Sequence, residues 1–373
     1  MRIIPYAEEW FEPVVAMLRT NWADSHPLYD QRLFDWQYRI ANCPASLVAF
    51  DGDEVVGFLG AIPGTYRVHG RRVQGVGLSM WCVAERLRNS GLGVLLLRQA
   101  ERRFPVTLTL GAGPQTLDMY RRMGYTILER LHRYVLPIHE PGFRALCRPH
   151  EYTALDPESS RVPTPGPAAA ETAARPTAED LAMLYERSVA PAFAFSQDRD
   201  AEFWQWRYLD SPGFRYHVLG DCDAQGAAVV RMERVVAADH PDLQQLRVLR
   251  ILELIPADPR VWHGQPHAAF SRLLIDVVEW GAASGCVAAD FQCTHRRLSA
   301  GLAQAGFLEQ AGPTDAPLAP LFQPLRWHAN PLNFLWRISP DLASGPVDAE
   351  QTYFVKSDCD MDRPVMWPLP EDP

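Results

Sequence analysis

Arg88-Asn89-Ser90-Gly91-Leu92-Gly93 decides how the rest of this 373-residue chain is read. An apolar run of strand character, Val76 to Val83, precedes it, and a helical pattern from Val94 to Phe104 follows. Strand, glycine-containing turn and helix start together form a cradle for a pyrophosphate. The two glycines let the backbone turn tightly and approach phosphate oxygens. First-turn N–H groups, which lack intrahelical partners, point at the anion. The helix dipole adds a partial positive charge at that end, and Arg88 a full one. Downstream, Tyr120-Arg121-Arg122-Met123-Gly124-Tyr125 reads as a helix that ends on glycine and turns Tyr125 inward.

Composition narrows the class. The length suggests two or three domains, and a hydrophobic content of 47% suits real cores. No apolar run approaches the roughly 20 residues that span a bilayer, and the N-terminus lacks the apolar stretch of a signal peptide, so the expectation is a cytoplasmic protein without a membrane partner. Cys43, Cys82, Cys147, Cys222, Cys286, Cys293 and Cys359 are scattered, with no C-x-x-C, which fits a reducing compartment and offers no zinc site. The net charge is −9, a poor balance for neutralising nucleic-acid phosphates. Lys356 is the only lysine, so a Schiff-base mechanism would rest on it alone. Asp358-Cys359-Asp360-Met361-Asp362 alternates carboxylates but lacks the glycine and distal glutamate of a calcium loop. It is expected to be a solvated turn or a substrate-facing acidic loop, with no metal.

Residues 139–178 are rich in proline, with an Ala/Thr-rich middle, and read as a linker between a first domain (1–138) and a second (179–373). The two sides look alike. Phe34-Asp35-Trp36-Gln37-Tyr38 is followed by apolar runs at 47–50 and 55–59 around Asp51-Gly52-Asp53. Trp204-Gln205-Trp206-Arg207-Tyr208 is followed by runs at 216–219 and 227–230 around Asp223 to Gly226. Each series reads as an aromatic helix and a hairpin, which argues for a duplicated fold. In the second copy the strand Arg247 to Pro256 leads to Asp258-Pro259-Arg260-Val261-Trp262 with no G-x-G, and Leu302 stands where the first copy has Tyr120. Leu325 to Ile338 and Thr352 to Val355 read as strands closing the second sheet.

The loop at Arg88 to Gly93 and the helix ending at Tyr120 to Tyr125 resemble those of the GNAT acyltransferases. The resemblance implies an α/β (α+β) fold of two tandem GNAT-like domains, each a mixed, largely antiparallel sheet flanked by helices. It implies acyl-CoA as co-substrate, acetyl-CoA or a longer or hydroxylated acyl-CoA, held at Arg88, Asn89, Ser90, Gly91, Leu92 and Gly93. Backbone amides of Met80, Trp81, Cys82 and Val83 would polarise the thioester carbonyl, Gln115 would border the pantetheine arm, and Tyr120 would protonate the departing thiolate. For the general base, Asp24, His26 and Glu85 are the candidates, with His26 favoured by its chemistry. Cys82 is an alternative nucleophile for a covalent route.

The second copy, without its phosphate cradle, is expected to serve the amine acceptor through Trp204, Arg207 and Trp262, since rings stack on bases or sugars and arginines meet phosphates. The layout resembles bacterial GNAT proteins of polysaccharide biosynthesis, which implies a nucleotide-linked amino sugar as acceptor and direct transfer in a ternary complex. A FemAB-like aminoacyl-tRNA-dependent transferase and a non-catalytic acyl-CoA sensor are the alternatives.

Overall fold

The computed structural model describes residues 1–38, 44–147, 176–265, 267–310, 318–342, 345–365 and 367. The first half runs β1 (Arg2–Pro5), α1 (Phe11–Asn21), α2 (Gln31–Tyr38), β2 (Leu47–Asp51), β3 (Glu54–Val68), β4 (Arg71–Val83), α3 (Leu92–Arg103), β5 (Val106–Leu110), α4 (Pro114–Arg122), β6 (Thr126–Leu128) and β7 (His132–Pro137). Gly52 takes the left-handed conformation (φ 60°) that the tight β2–β3 hairpin needs. Pro114 opens α4 at a position where the missing N–H costs nothing.

A short α5 (Glu140–Ala145) begins the stretch expected as a linker, most of which lies outside the described residues. The chain resumes in α6 (Ala178–Ser188), whose N-terminus is closed by a reciprocal Thr177/Asp180 capping box. Then come β8 (Phe195–Gln197), α7 (Ala201–Trp204), β9 (His217–Leu219), β10 (Gly226–Arg234), β11 (Arg247–Pro256), α8 (Ala268–Ala283), β12 (Cys286–Cys293), α9 (Ser299–Gln304) and β13 (Leu308–Glu309). The C-terminal part adds β14 (Leu321–Phe322), β15 (Leu325–Arg326), β16 (Phe334–Ile338) and β17 (Thr352–Tyr353).

Two mixed sheets result, and they are built alike. The order β2-β3-β4-β5-β16-β6 in the first matches β9-β10-β11-β12-β7-β13 in the second. In each, one central pair is parallel (β4 with β5, β11 with β12) and the other pairs along that order are antiparallel. The hairpin repeats and the fold class read from the sequence are therefore present.

The two halves exchange a strand. β7 belongs by sequence to the first half but lies in the second sheet between β12 and β13. β16, from the C-terminal part, lies in the first sheet between β5 and β6. This corrects the expectation that residues 325–338 and 352–355 close the second sheet: β16 and β17 both join the first, and β15 pairs with β14 in a separate two-stranded ribbon. It also moves the start of the second sheet forward to His132, before the expected boundary at 138. The physical reason lies in local specificity. Glu129, Arg130 and Leu131 between β6 and β7 include no glycine or asparagine for a reversing turn, so the chain runs on instead of folding back. Arg133 then pairs with Asp290 of β12 inside the second core. Asn333 holds β16 beside the end of β5, with its amide donating to Ala112 O (2.8 Å) and its oxygen accepting from Ala112 N (2.9 Å).

Candidate functional site

The cradle is shaped as the sequence suggests, with residues 88–91 exposed and Leu92 anchored in the core. Asn89 (φ 66°) and Gly91 (φ 87°) both take left-handed conformations, so the loop alternates handedness just before α3, the backbone pattern that forms an anion-binding concavity. Ser90 stabilises the turn: its Oγ donates to Leu87 O (2.7 Å) and accepts from Leu92 N (3.3 Å). Arg88 donates to Asn21 O at the end of α1 (2.8 Å), which ties the loop to the first helix. The indole of Trp81 lies over Gly93, where an added Cβ would meet it at 3.1 Å, and its edge meets Tyr120 with ring centres 6.0 Å apart. The Trp81 Nε1–H is buried and has no hydrogen-bond partner among the described residues.

β4 carries a bulge beside this cradle. Leu78 pairs with Ala61 and Trp81 with Leu59, so three steps on β4 match two on β3. The extra residue reverses which side chains face which helices. Before it, Val76 and Leu78 pack in the core with Leu92, Leu96 and Leu97 of α3; after it, Trp81 and Val83 do, while Met80 and Cys82 enter the core of α1 and α2. The parallel pairing of β4 with β5 ends at Leu78 and Thr109, so the two strands part at the bulge. Those backbone amides of 79–83 that point away from β3 are thus left without a β5 partner, in the region expected to polarise a carbonyl.

Tyr120 is buried against this split, and burial, with Glu101 and Cys359 adding to it, pushes its phenol well above the usual range. It stays protonated and is suited only to donating. Tyr125 is core, with its hydroxyl 2.8 Å from Thr107 Oγ1. Gln115 is exposed at the start of α4.

His26 fits the role of base poorly. Its Nδ1 accepts from Leu28 N (3.2 Å) as a cap, and burial together with Arg363 lowers its pKa to about 3, so the ring's one basic nitrogen is both engaged and a weak proton acceptor. Cys82 fits the covalent route no better, because burial raises its thiol to about 11.

The acceptor residues expected in the second half require correction. Trp204 and Trp262 are core rings, and the Trp262 N–H donates to Ser188 Oγ (2.9 Å). Arg207 is buried and donates to the carbonyls of Ser357 (2.6 and 2.9 Å) and Asp362 (3.1 Å). The helical spacing that places Trp204 under Tyr208 makes them a core stripe. Trp204→Ala is accordingly expected to destabilise the fold by about 3–5 kcal/mol in urea melts without changing acceptor KM at temperatures where it stays folded. A KM effect without a stability loss would restore the binding role.

The acidic loop is buried too. Asp358 pairs with Arg199 (3.0 Å) and Asp362 with Arg231 (2.7 Å). Cys359 Sγ and Met361 Sδ pack so closely on Gly77 and Gly111 that an added Cβ there would sit 2.9 and 2.8 Å from them. The segment is thus a strap across the parting strands. Between those anchors, Asp360 accepts from Arg363 Nε (3.3 Å) and acts electrostatically on the Tyr38 phenol. That phenol lies 2.8 Å from Ser79 Oγ at the bulge, and over Gly60, where any Cβ would clash with it at 2.6 Å. The sequence does not single out Asp360 or Tyr38, because nothing local links residue 360 to residue 79.

Beside the strap opens a cavity of about 400 Å³ whose lining runs from Gly111 to Arg231, Arg250, Trp327, Lys356 and Arg363. Its charged wall is a chain of ion pairs: Asp362 with Arg231, Arg231 with Glu233 (3.2 Å), Glu233 with Arg250 (2.6 Å), Arg250 with Asp290, and Asp290 with Arg133 (2.9 Å). No group of three or more His, Cys, Asp or Glu able to hold a metal is found among the described residues. Nor is any helix among them long and apolar enough to cross a membrane.

Comparison with known proteins agrees with this geometry. Residues 2–128 match the family model described as the acetyltransferase (GNAT) domain. No curated protein matches the sequence. Among solved structures the chain is similar to a GCN5-related N-acetyltransferase from Kribbella flavida, at 16% identity and TM-score 0.52 over 90% of this chain and 70% of that one. It is also similar to Saccharomyces cerevisiae N-myristoyltransferase with bound myristoyl-CoA, at 14% identity and TM-score 0.53 over 94% and 83%. At such identities the likeness speaks for the fold, and it extends over both halves.

Proposed function

We propose, on the premise that residues 2–128 are a GNAT-type N-acyltransferase domain, that the chain moves an acyl group from coenzyme A to the primary amine of a nucleotide-linked amino sugar. Transfer is direct, in a ternary complex. The observation that carries the reading is that the cavity lining reaches Gly111, just past the end of β5 and next to where β4 and β5 part.

In this reading the loop at 88–93 holds the pyrophosphate through its amides and the dipole of α3. Trp81, with its unpaired indole N–H, borders the arm between loop and thioester. Amides released at the β4 bulge polarise the carbonyl. From the strap, Asp360 takes the proton that the ammonium must lose before its lone pair can attack. Tyr120 gives a proton to the departing thiolate. The buried thiol of Cys82 supports direct transfer over a covalent relay.

The nucleotide-sugar acceptor is supported by the size of the cavity, its arginines and the aromatic surface of Trp327. Thiol release from acetyl-CoA, measured against a panel of amino sugars with and without a nucleoside diphosphate, tests it. Release accelerated only by the nucleotide-linked members is the expected result; equal acceleration by the free sugars would remove the nucleotide from the reading.

Tyr120→Phe is expected to lower kcat about 10²-fold with acetyl-CoA affinity unchanged, the low end for a lost general acid because a thiolate leaves tolerably without its proton. An unchanged kcat would return Tyr120 to the core and favour an acyl-CoA-binding sensor.

A further inference from the structure

The charged wall of the cavity is more cationic than its own pairing requires. Three arginines (Arg133, Arg231, Arg250) face three carboxylates (Glu233, Asp290, Asp362), and Lys356 is added to them. All seven are buried. Two donors on lining residues are buried and unsatisfied among the described residues: Arg231 Nη1 and Trp327 Nε1. Both groups can only donate, so each is completed by an acceptor. A buried, unpaired N–H on a charged group is costly to leave unmade. The guanidinium of Arg231 is fixed from its other sides, by Asp362 and by the face of Phe214 at 3.9 Å. It is therefore held in place before any ligand arrives.

We infer that this wall is an anion subsite, in which Arg231 and Lys356 take a carboxylate or phosphate group carried by the acceptor while Trp327 donates from the rim. The inference rests on the acyltransferase reading for what the anion is attached to, but the subsite itself rests on the wall. It also gives the single lysine a role. The ligand's anion supplies the negative charge that Lys356 lacks, so the wall becomes neutral when the subsite is filled.

The pH dependence has a definite sign. Burial, with Arg250 beside it, lowers Lys356 to about 8 against the opposing pull of Glu233, Asp362 and Asp290. Glu233 is held down at about 2 by Arg250 and Arg231 despite its burial, and Asp290 and Asp362 are held below the usual carboxylate range by their arginines. Those groups keep their charges throughout the neutral range, as do the arginines. The lysine's contribution to anion affinity is therefore present well below pH 8 and declines as pH rises through it. His328 and Arg363 also line the cavity, so the lysine's share is read from a variant.

The test is calorimetric titration of the full chain with inorganic phosphate and, separately, with succinate, with coenzyme A present to occupy the pyrophosphate loop. Lys356→Met is expected to weaken binding about tenfold or more and to abolish the decline above pH 8, while Lys356→Arg retains the affinity. Preference for phosphate over succinate assigns a phosphorylated acceptor, and the reverse an acceptor carboxylate. Lys356→Met removes a desolvated charge and is expected to fold at least as stably below pH 8, which a urea melt checks. Should it fail to fold, the wild-type pH profile and the arginine variant carry the test. Binding of neither anion, or equal binding by a folded Lys356→Met, would overturn the subsite. Coenzyme A affinity measured on the same samples separates the two readings: its absence alongside intact anion binding would sink the acyltransferase reading and leave the subsite.

Discussion

Gly91→Val is expected to raise the acetyl-CoA KM by about 10²-fold or more while the protein stays folded. Gly91 sits at the start of α3 with φ 87°, and nothing lies within 4 Å of where its Cβ would be. The substitution therefore meets no steric clash in the free protein. Its structural cost is the left-handed backbone, about 1–2 kcal/mol for a residue with a Cβ and at the upper end for a β-branched one. Its functional cost is larger. A valine there relaxes toward negative φ, which undoes the alternating backbone of the concavity, and its methyls occupy the space from which phosphate oxygens approach. Losing two charge-assisted hydrogen bonds at about 1.5–3 kcal/mol each corresponds to roughly 10²- to 10⁴-fold. Steady-state kinetics with a parallel urea melt separate the two effects. Normal KM in a folded variant would remove residues 88–93 from cofactor binding.

That prediction rests on residues adjacent in sequence, and adjacency is what makes the cradle legible in the sequence alone. A strand, a glycine turn and a helix N-terminus are local events, and their meaning survives without knowledge of what packs where. The hairpin repeats at 47–59 and 217–230 are legible for the same reason. The strand exchange is not. The continuous apolar runs within His132–Pro137 and Phe334–Ile338 say that each is a buried strand, but such a run fits the middle of either sheet. Their choice depends on partners such as Asp290 and Ala112, which are remote in sequence. The acceptor side misleads similarly. Trp204 and Trp262 read as a binding platform because they are large rings in a copy that has lost its cofactor loop, yet loss of a ligand does not expose a core. The residues that do line the cavity include members of β7, β10, β11, β12, the strap and the segment around Trp327. Only the exchange of strands, which draws the C-terminal part back across both sheets, brings them together. The same geometry turns Asp358 and Asp362 from apparent surface charges into buried partners of arginines, and leaves Asp360 between them in the strap.

Asp360→Asn is expected to lower kcat by about 10³-fold at neutral pH, within the range for a lost general base, with acetyl-CoA affinity unchanged. The amide keeps the size of the carboxylate and its contact with Arg363, while Cys359 and Met361 keep anchoring the strap on Gly77 and Gly111, so the fold is expected to stand. What is lost is the capacity of the strap to accept a proton in the neighbourhood of Tyr38, on whose phenol Asp360 acts. An aliphatic amine, like a lysine side chain with its ordinary pKa near 10.4, is almost wholly protonated at neutral pH and cannot attack until a base relieves it. As pH rises, solution supplies more free amine and the need for Asp360 falls. The deficit of Asp360→Asn relative to wild type is therefore expected to shrink steadily toward alkaline pH, measured with the acceptor saturating. A structural role would give a deficit independent of pH and a lowered melting midpoint, and that outcome would remove Asp360 from the chemistry. Positioning of the amine by the strap alone would raise KM and spare kcat. The base reading requires the opposite split, because proton removal is needed in the transition state and contributes nothing to ground-state binding.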